Sequence, residues 1–185
     1  MSRVKRTVED AVRDLLVHVG EDPYREGLLD TPKRVAKALK EMTVGYSQDP
    51  AEILSTSFEA PYDQMVILRD IDFVSMCEHH MLPFVGKATV GYIPEGRVVG
   101  LSKLARLVQC FAKRLQIQER MTEEIADAIS KHLDASGCGV VIEAHHQCMS
   151  CRGVKLPNAR MVTSALHGKM LQSNVRSEFM SLARI

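Results

Sequence analysis

Two short segments of the chain concentrate the residue types that bind metals and move protons. The first segment is Cys77-Glu78-His79-His80, and the second runs from His145 to Cys151. Together they hold four of the seven histidines and three of the five cysteines in the 185-residue sequence. Cys77 and His80 have the C-x2-H spacing of zinc ligands on a turn, and Cys148 and Cys151 have C-x2-C spacing. The pattern therefore predicts a zinc site.

The spacing alone is compatible with two kinds of zinc site that differ in function. A closed structural Cys3His site results if all four of these side chains bind the metal. Without Cys151, three ligands remain and leave a fourth position for a water molecule that zinc activates near neutral pH. The extra histidines, His79 and His146, favour this catalytic alternative, because hydrolysis needs groups that move protons around the metal. One example of such a set of three ligands is Cys77, His80 and Cys148.

A second group of residues has the chemistry of an anion site. Ser102 lies at a predicted helix N-terminus with Lys103 and Arg106 in the first turns, where hydrogen bonding and positive charge together suit a phosphate group. Arg152 follows the second cysteine motif. In the same group, Gln118-Glu119 provides a carboxylate that accepts hydrogen bonds from the N–H groups of a purine.

The composition excludes broad electrostatic binding to nucleic acid or to an anionic membrane. Lys and Arg number 24 and Asp and Glu number 23, so the net charge is +1 and any anion must be held locally. The sequence contains no run of about 18 apolar residues, so we expect no membrane span. No apolar signal segment follows the basic N-terminus. We therefore expect a cytoplasmic protein with reduced thiols. Cys110 and Cys138 lie on or between helical patterns and are predicted to be packing residues.

The periodicity of apolar residues predicts elements that arrive as two helices, two strands, two helices, two strands and a closing helix. Strands in adjacent pairs favour antiparallel hairpins with helices on one face of the sheet, which is an α+β arrangement. Caps at Thr31, Ser102 and Thr122 mark three helix starts, and Gly137 and Gly139 are interpreted as helix terminators. The predicted segments are a helix over 8–19, a helix from 31, strands over 65–74 and 87–93, helices from 102 and 122, strands over 140–142 and 161–166, and a helix after 173–174.

Ordered motifs along the chain resemble those of one enzyme family. They are Asp30-Thr31-Pro32-x-Arg34-Val35, Cys77-Glu78-His79-His80, the stretch from Gly86 to Pro94, Gly100-Leu101-Ser102-Lys103, Gln118-Glu119-Arg120, His146-x-Cys148 with Arg152-Gly153, Thr163-Ser164 and Arg176-x-Glu178-Phe179. In this order and at these separations, from about Gly27 to Phe179, they resemble GTP cyclohydrolase I. The resemblance implies conversion of GTP and water to 7,8-dihydroneopterin triphosphate and formate, at the entry to pterin and folate synthesis.

The resemblance also implies a role for each motif residue. Cys77, His80 and Cys148 would hold one catalytic zinc ion per chain, with His79 and His146 as the proton-transfer histidines. His146 would protonate N7 of guanine, and Ser102 would assist His79 in later proton transfers close to the ribose and phosphates. Glu119, with Gln118, would bind the guanine edge. The triphosphate would be bound by four cations, Lys103, Arg106, Arg152 and Arg34.

Family members use a tunnelling fold, in which antiparallel sheets of several subunits join into a barrel. The resemblance therefore implies a cooperative or allosteric homodecamer with active sites at subunit interfaces, and an N-terminal helical segment over 1–60 followed by a catalytic domain over 61–185. Cys151 departs from the family pattern, because its spacing allows it to compete for zinc or to oxidise. The alternatives are a related tunnelling-fold enzyme acting on a pterin or deazapurine and a zinc-stabilised binding module.

Overall fold

The computed structural model describes residues 6–184, and the chain divides into two compact units after Thr43. The first unit contains α1 (Val8–His18) and α2 (Thr31–Met42). Helix α1 begins with a capping box in which Thr7 and Asp10 bond each other's backbone N–H groups. Both predicted helices are confirmed, although the residue that caps α2 is Asp30 rather than Thr31.

The second unit starts at Val44, so it includes residues 44–60 that the sequence analysis placed in the N-terminal segment. Its elements are a 3-10 turn (Val44–Ser47), α3 (Pro50–Leu54), β1 (Ser57–Glu59), β2 (Val66–Cys77), β3 (Pro83–Pro94), β4 (Arg97–Val99), α4 (Leu101–Ala112), β5 (Leu115–Gln116), α5 (Gln118–His132), β6 (Ala135–His146), α6 (Gln147–Ser150), β7 (Met161–Gly168), a 3-10 turn (Lys169–Leu171) and α7 (Ser173–Ala183). Over residues 6–184, no helix is long and apolar enough to cross a membrane.

A five-stranded sheet in the order β5-β2-β3-β6-β7 forms the centre of the second unit. All neighbouring strands are antiparallel except β5, which runs parallel to β2. Strands β1 and β4 form a separate two-stranded sheet. This mixture of an antiparallel sheet and helices confirms the predicted α+β class.

The two faces of the sheet pack against different helices. Val140 and Ile142 of β6 point into the larger core, which also contains the apolar faces of α4 and α5. Val141, between them, points to the opposite face and packs with Phe179 of α7. The prediction of helices on one face is therefore correct for α4 and α5, whereas α7 places Phe179 on the other face.

Four residues that the sequence analysis interpreted as helix starts or ends have other roles. Helix α4 begins at Leu101 after Gly100, so Ser102 lies inside its first turn. Thr122 lies one turn inside α5, where its hydroxyl donates to the Gln118 carbonyl at 2.7 Å instead of capping the helix. Gly137 and Gly139 are both part of β6, and a Cβ atom at Gly139 would come within 2.8 Å of the Phe179 ring.

Candidate metal and proton-transfer site

The sheet brings the two cysteine and histidine segments to the same end of three adjacent strands. Cys77 is the last residue of β2, and the turn that contains His80 leads into β3. The beginning of β3 pairs with the end of β6, with Phe84 opposite His146. Cys148 follows in α6, immediately after β6. Residues about 70 positions apart in sequence therefore meet because β3 lies between β2 and β6.

The side chains of Cys77, His80 and Cys148 have the geometry of a zinc ligand set. Their ligand atoms all lie within 4.8 Å of one another, and the Cys77 Sγ to His80 Nδ1 distance is 3.9 Å. Zinc bonds of about 2.3 Å to sulfur and about 2.1 Å to nitrogen place tetrahedral ligands about 3.6–3.8 Å apart. Burial raises the pKa of Cys148, and the adjacent Cys77 raises it further. A cation bound at this position would favour the thiolate form of Cys148, which is the form that binds a metal.

Cys151 lies outside this set of three ligands. It is solvent-exposed, and its backbone N–H donates to the Gln147 carbonyl at 3.0 Å at the end of α6. The five cysteines are all free thiols. The geometry therefore supports the three-ligand alternative over the closed four-ligand site.

The turn that carries His79 and His80 is fixed by an ion pair that the sequence analysis did not find. Glu78 pairs with Arg120 of α5, and the Arg120 Nε donates to Gln116 Oε1 at 3.1 Å. The Glu78 backbone N–H donates to the Gln116 carbonyl at 3.0 Å. The hydrogen bond from Arg120 lowers the pKa of Glu78, so this carboxylate stays charged. The only available sequence signal was the position of Arg120 directly after Gln118-Glu119.

The two candidate proton-transfer histidines have different environments. His79 is exposed, and its Nδ1 lies 4.0 Å from Cys77 Sγ. His146 is partly buried and stacks on the Phe84 ring, with a centroid distance of 4.6 Å and an interplanar angle of 5°. Burial lowers the pKa of His146. The Phe84 contact was missed in the sequence, because it depends on the register between β3 and β6.

Arg152 contacts the His80 ring at Nε2. A guanidinium group only donates hydrogen bonds, so this contact needs an unprotonated Nε2 and leaves the hydrogen on Nδ1. A metal ion bound through Nδ1 needs the opposite tautomer. The hydrogen bond from Arg152 to His80 Nε2 and the binding of a metal through His80 Nδ1 therefore cannot occur at the same time.

The remaining predicted substrate residues lie at helix starts. Ser102 and Arg106 are exposed and Lys103 partly exposed in the first turns of α4, and Glu119 is exposed at the start of α5. Within residues 6–184, no side-chain hydrogen bond or ion pair joins Ser102, Lys103 or Arg106 to the candidate metal ligands. Arg34 lies on α2 in the first unit.

The cysteines outside the site give a test based on pH. Cys110 and Cys138 are almost fully buried, and burial raises the pKa of both thiols, that of Cys138 to about 12. Since the thiolate is the reactive form, neither residue should react with iodoacetamide at pH 8 in the folded protein. The exposed Cys151 should react first. Peptide mass spectrometry before and after denaturation measures this order, and labelling of native Cys138 as fast as Cys151 would contradict it.

The fold and the site together define the class of this protein. A Cys–His–Cys ligand set at the end of an antiparallel sheet, with two more histidines beside it, is the arrangement of an α+β enzyme with a candidate metal centre.

Comparison with known proteins identifies the family. The family model described as GTP cyclohydrolase I matches residues 8–184, and the chain belongs to this family. The match confirms the resemblance drawn from the motifs, and the antiparallel sheet with its helices agrees with the predicted α+β class. The chain is thus an enzyme with GTP cyclohydrolase I activity.

Curated relatives support the same family. "GTP cyclohydrolase 1" of Chlorobium phaeovibrioides is 54% identical over 99% of this chain and 83% of its own length. The Gloeobacter violaceus protein of that name is 57% identical over 94% of this chain and 82% of its own length. The Dehalococcoides mccartyi protein is 53% identical over 96% of both chains. A solved structure titled archaeosine synthase QueF-Like in the apo form matches 60% of this chain and 97% of that chain, with TM-score 0.46 and 14% identity.

Proposed function

We propose that this enzyme opens the imidazole ring of GTP by zinc-dependent hydrolysis, releases formate and rearranges the product to 7,8-dihydroneopterin triphosphate. This is the first step of pterin and folate synthesis. The observation that carries the proposal is the set Cys77, His80 and Cys148, whose ligand atoms lie within 4.8 Å of one another. His79 and His146 provide proton-transfer groups beside that set.

Cys77, His80 and Cys148 would hold one zinc ion per chain and leave its fourth position open. When bound, zinc supplies a water nucleophile near neutral pH. The chain's own residues supply the proton transfers. His146 protonates N7 of guanine, which makes C8 electrophilic and open to attack by water. His79 and Ser102 carry protons while the ribose opens, the Amadori rearrangement proceeds and the new ring closes.

Substrate binding divides between one carboxylate and several cations. The exposed Glu119 carboxylate accepts hydrogen bonds from the amino and ring N–H groups at the guanine edge. The triphosphate is bound by charge-assisted hydrogen bonds from Lys103, Arg106, Arg152 and Arg34.

We infer that the site is completed in a homo-oligomer, a decamer by analogy with the family. Strand β7 is the last strand of the sheet, and β5 pairs only with Met76 and Cys77 of β2. Over residues 6–184, both sheet edges therefore offer backbone groups to a strand of another subunit, as barrel closure needs. A second subunit would then contribute the cations that one subunit leaves apart from the metal ligands. The free thiols fit a reducing compartment such as the cytoplasm.

Incubation of the zinc-loaded protein with GTP tests the proposal. We expect stoichiometric formate and, after mild oxidation, a fluorescent pterin that still carries the triphosphate. Dialysis against a chelator should abolish both products, and zinc should restore them. Turnover of a phosphate-free pterin or deazapurine in place of GTP would favour the related tunnelling-fold enzyme instead.

The triphosphate contacts give a separate prediction. Arg152→Ala and Lys103→Ala should each raise Kd for GTP by about tenfold or more, because a hydrogen bond to a charged group contributes about 1.5–3 kcal/mol. Binding of guanosine, which has no phosphates, should change much less. Isothermal titration with both ligands measures the difference.

Two further variants control for this prediction. Glu119→Ala should weaken GTP and guanosine alike, since an unpaired purine N–H costs about 1–3 kcal/mol in either ligand. Lys131→Ala, at the exposed end of α5, should change neither. If Arg152→Ala loses affinity for GTP and for guanosine equally, Arg152 does not bind the phosphates.

A further inference from the structure

We propose that Gln118 is a positioning residue for His146, and that its buried amide fixes which ring nitrogen of His146 carries the hydrogen. The inference rests on the proposed function, in which His146 transfers a proton to the substrate. It assigns the Gln118 side chain a role other than the predicted contact with guanine.

The Gln118 side chain is almost fully buried, with 1% of its surface exposed. Its Nε2 lies 3.0 Å from the Ile142 carbonyl of β6 and 3.0 Å from the Met161 carbonyl of β7. Backbone carbonyl oxygens only accept hydrogen bonds, so the atom that faces both of them must be the NH2 group. The opposite orientation of the amide would place three oxygens together in a buried space, which is strongly unfavourable.

Two threonine hydroxyls strengthen this orientation. Gln118 Nε2 also lies 3.1 Å from Thr163 Oγ1, which is 2.7 Å from Thr122 Oγ1. Thr122 donates its single hydroxyl hydrogen to the Gln118 carbonyl at 2.7 Å. Thr163 must then donate to Thr122, and this leaves the Thr163 oxygen free to accept from Gln118. The two NH2 hydrogens of Gln118 therefore face three acceptors, the Ile142 and Met161 carbonyls and the Thr163 oxygen, so one hydrogen is shared between two of them.

The orientation of the amide determines the tautomer of His146. The remaining polar atom of Gln118 is Oε1, and it lies 2.8 Å from His146 Nε2. An amide oxygen only accepts, so His146 Nε2 must carry a hydrogen. In the neutral ring, Nδ1 is then the nitrogen without a hydrogen. As a proton donor, His146 must therefore be the imidazolium form, which gives its Nδ1 proton to the substrate and becomes the neutral ring with its hydrogen on Nε2.

The ring is held in position as well as in one tautomer. The hydrogen bond from Nε2 anchors one edge of the ring, and the stacked Phe84 fixes its plane. Transfer at Nδ1 leaves the bond to Gln118 intact, so the ring stays in place throughout. With its amide fully used inside the protein, Gln118 has no group left for guanine. The exposed carboxylate of the neighbouring Glu119 can accept hydrogen bonds from guanine instead.

The Gln118→Met variant tests the proposal, because methionine has a similar size but no hydrogen-bonding amide. We expect kcat for formate release to fall about 10–10²-fold, less than the 10²–10⁴-fold expected for loss of a general acid. KM for GTP and the zinc content should stay close to those of the wild type. ¹⁵N spectra of histidine-labelled protein should show loss of the single Nε2–H tautomer of His146, with the signal assigned by its absence in His146→Ala.

Two further variants keep the test decisive. Gln118→Leu removes the amide with a different apolar side chain, so it should reproduce the loss of the tautomer and of kcat even if Gln118→Met folds poorly. Gln116→Met removes another buried amide, which donates to the Phe111 carbonyl and to Glu124 instead of facing His146. It should leave the His146 tautomer unchanged.

The outcomes separate this inference from the proposed function. If His146→Ala lacks activity while Gln118→Met keeps the wild-type tautomer and kcat, the positioning role is wrong and the proposed function stands. If Gln118→Met raises KM for GTP but keeps the His146 tautomer, Gln118 contacts guanine and does not position His146. If His146→Ala itself releases formate at the wild-type rate, the proposed function of His146 fails first.

Discussion

The His80→Ala variant is expected to lose its zinc and, as a consequence, its release of formate from GTP. His80 is one of only three side chains in the candidate ligand set, and two cysteine ligands alone leave two positions of a tetrahedral site without protein ligands. Zinc that binds weakly is removed during purification, so the variant should be inactive before any step of the reaction is reached. Elemental analysis of the purified protein, followed by the formate assay, measures both losses in order.

Cys151→Ser is the matched control for the ligand assignment. Cys151 has the C-x2-C spacing of a ligand but is exposed and lies outside the set of three. Its replacement should leave the zinc content and the formate release at wild-type values. If Cys151→Ser loses zinc as fully as His80→Ala, the closed four-ligand site is correct and the open position does not exist.

The candidate metal ligands could be named from the sequence because their spacing is local, and the structure brings the three side chains together. The C-x2-H and C-x2-C motifs place candidate ligands on single turns, and the family match over residues 8–184 agrees with the motifs. The meeting of Cys77 with Cys148 depends on β3 pairing with both β2 and β6. The predicted hairpins account for the pairing of β2 with β3, whereas the pairing of β3 with β6 joins the two hairpins and was not predicted from the periodicity.

The errors in the sequence analysis have long-range physical causes. Gly139 resembles a helix terminator locally, but it lies in a strand, where it makes room for a ring 40 residues further along the chain. Thr122 resembles an N-cap, but its hydroxyl belongs to the hydrogen-bond network beneath Gln118. In both cases the reason for the residue type is a tertiary contact. Periodicity within one segment carries no information about such a contact.

The same limit explains why the partner of His146 was not found. Gln118 was singled out because it precedes Glu119, and a glutamine beside a carboxylate suits a purine edge. Its burial results from the register of β6 with β7, which places the Ile142 and Met161 carbonyls around one amide group. No spacing in the sequence encodes that register.

His146→Ala should separate proton transfer from metal binding. The variant should keep one zinc ion per chain, because His146 contacts Gln118 and Phe84 and is outside the ligand set. It should release formate about 10²–10⁴ times more slowly, since unprotonated N7 leaves C8 a poor electrophile. Zinc analysis and the formate assay on the same preparation measure the two properties.

The neighbouring histidine gives the control for this prediction. His145 precedes His146 on β6, so its side chain points to the opposite face of the sheet, where it lines a cavity with Lys87 and Glu143. His145→Ala should therefore keep both zinc and formate release. His79→Ala should differ from both, because a block in the later rearrangement allows formate to appear while the finished pterin does not.

The comparison of His146→Ala with His80→Ala decides between two arrangements of the site. Loss of activity with retained zinc in His146→Ala, against loss of zinc in His80→Ala, places His80 on the metal and His146 on the substrate. Equal loss of zinc in both variants would move His146 into the coordination shell. Its Nε2 is already occupied by the Gln118 oxygen, so such a shell would have to use Nδ1. The nitrogen inferred to exchange the proton would then be a ligand, and the division between metal binding and proton transfer would have to be abandoned.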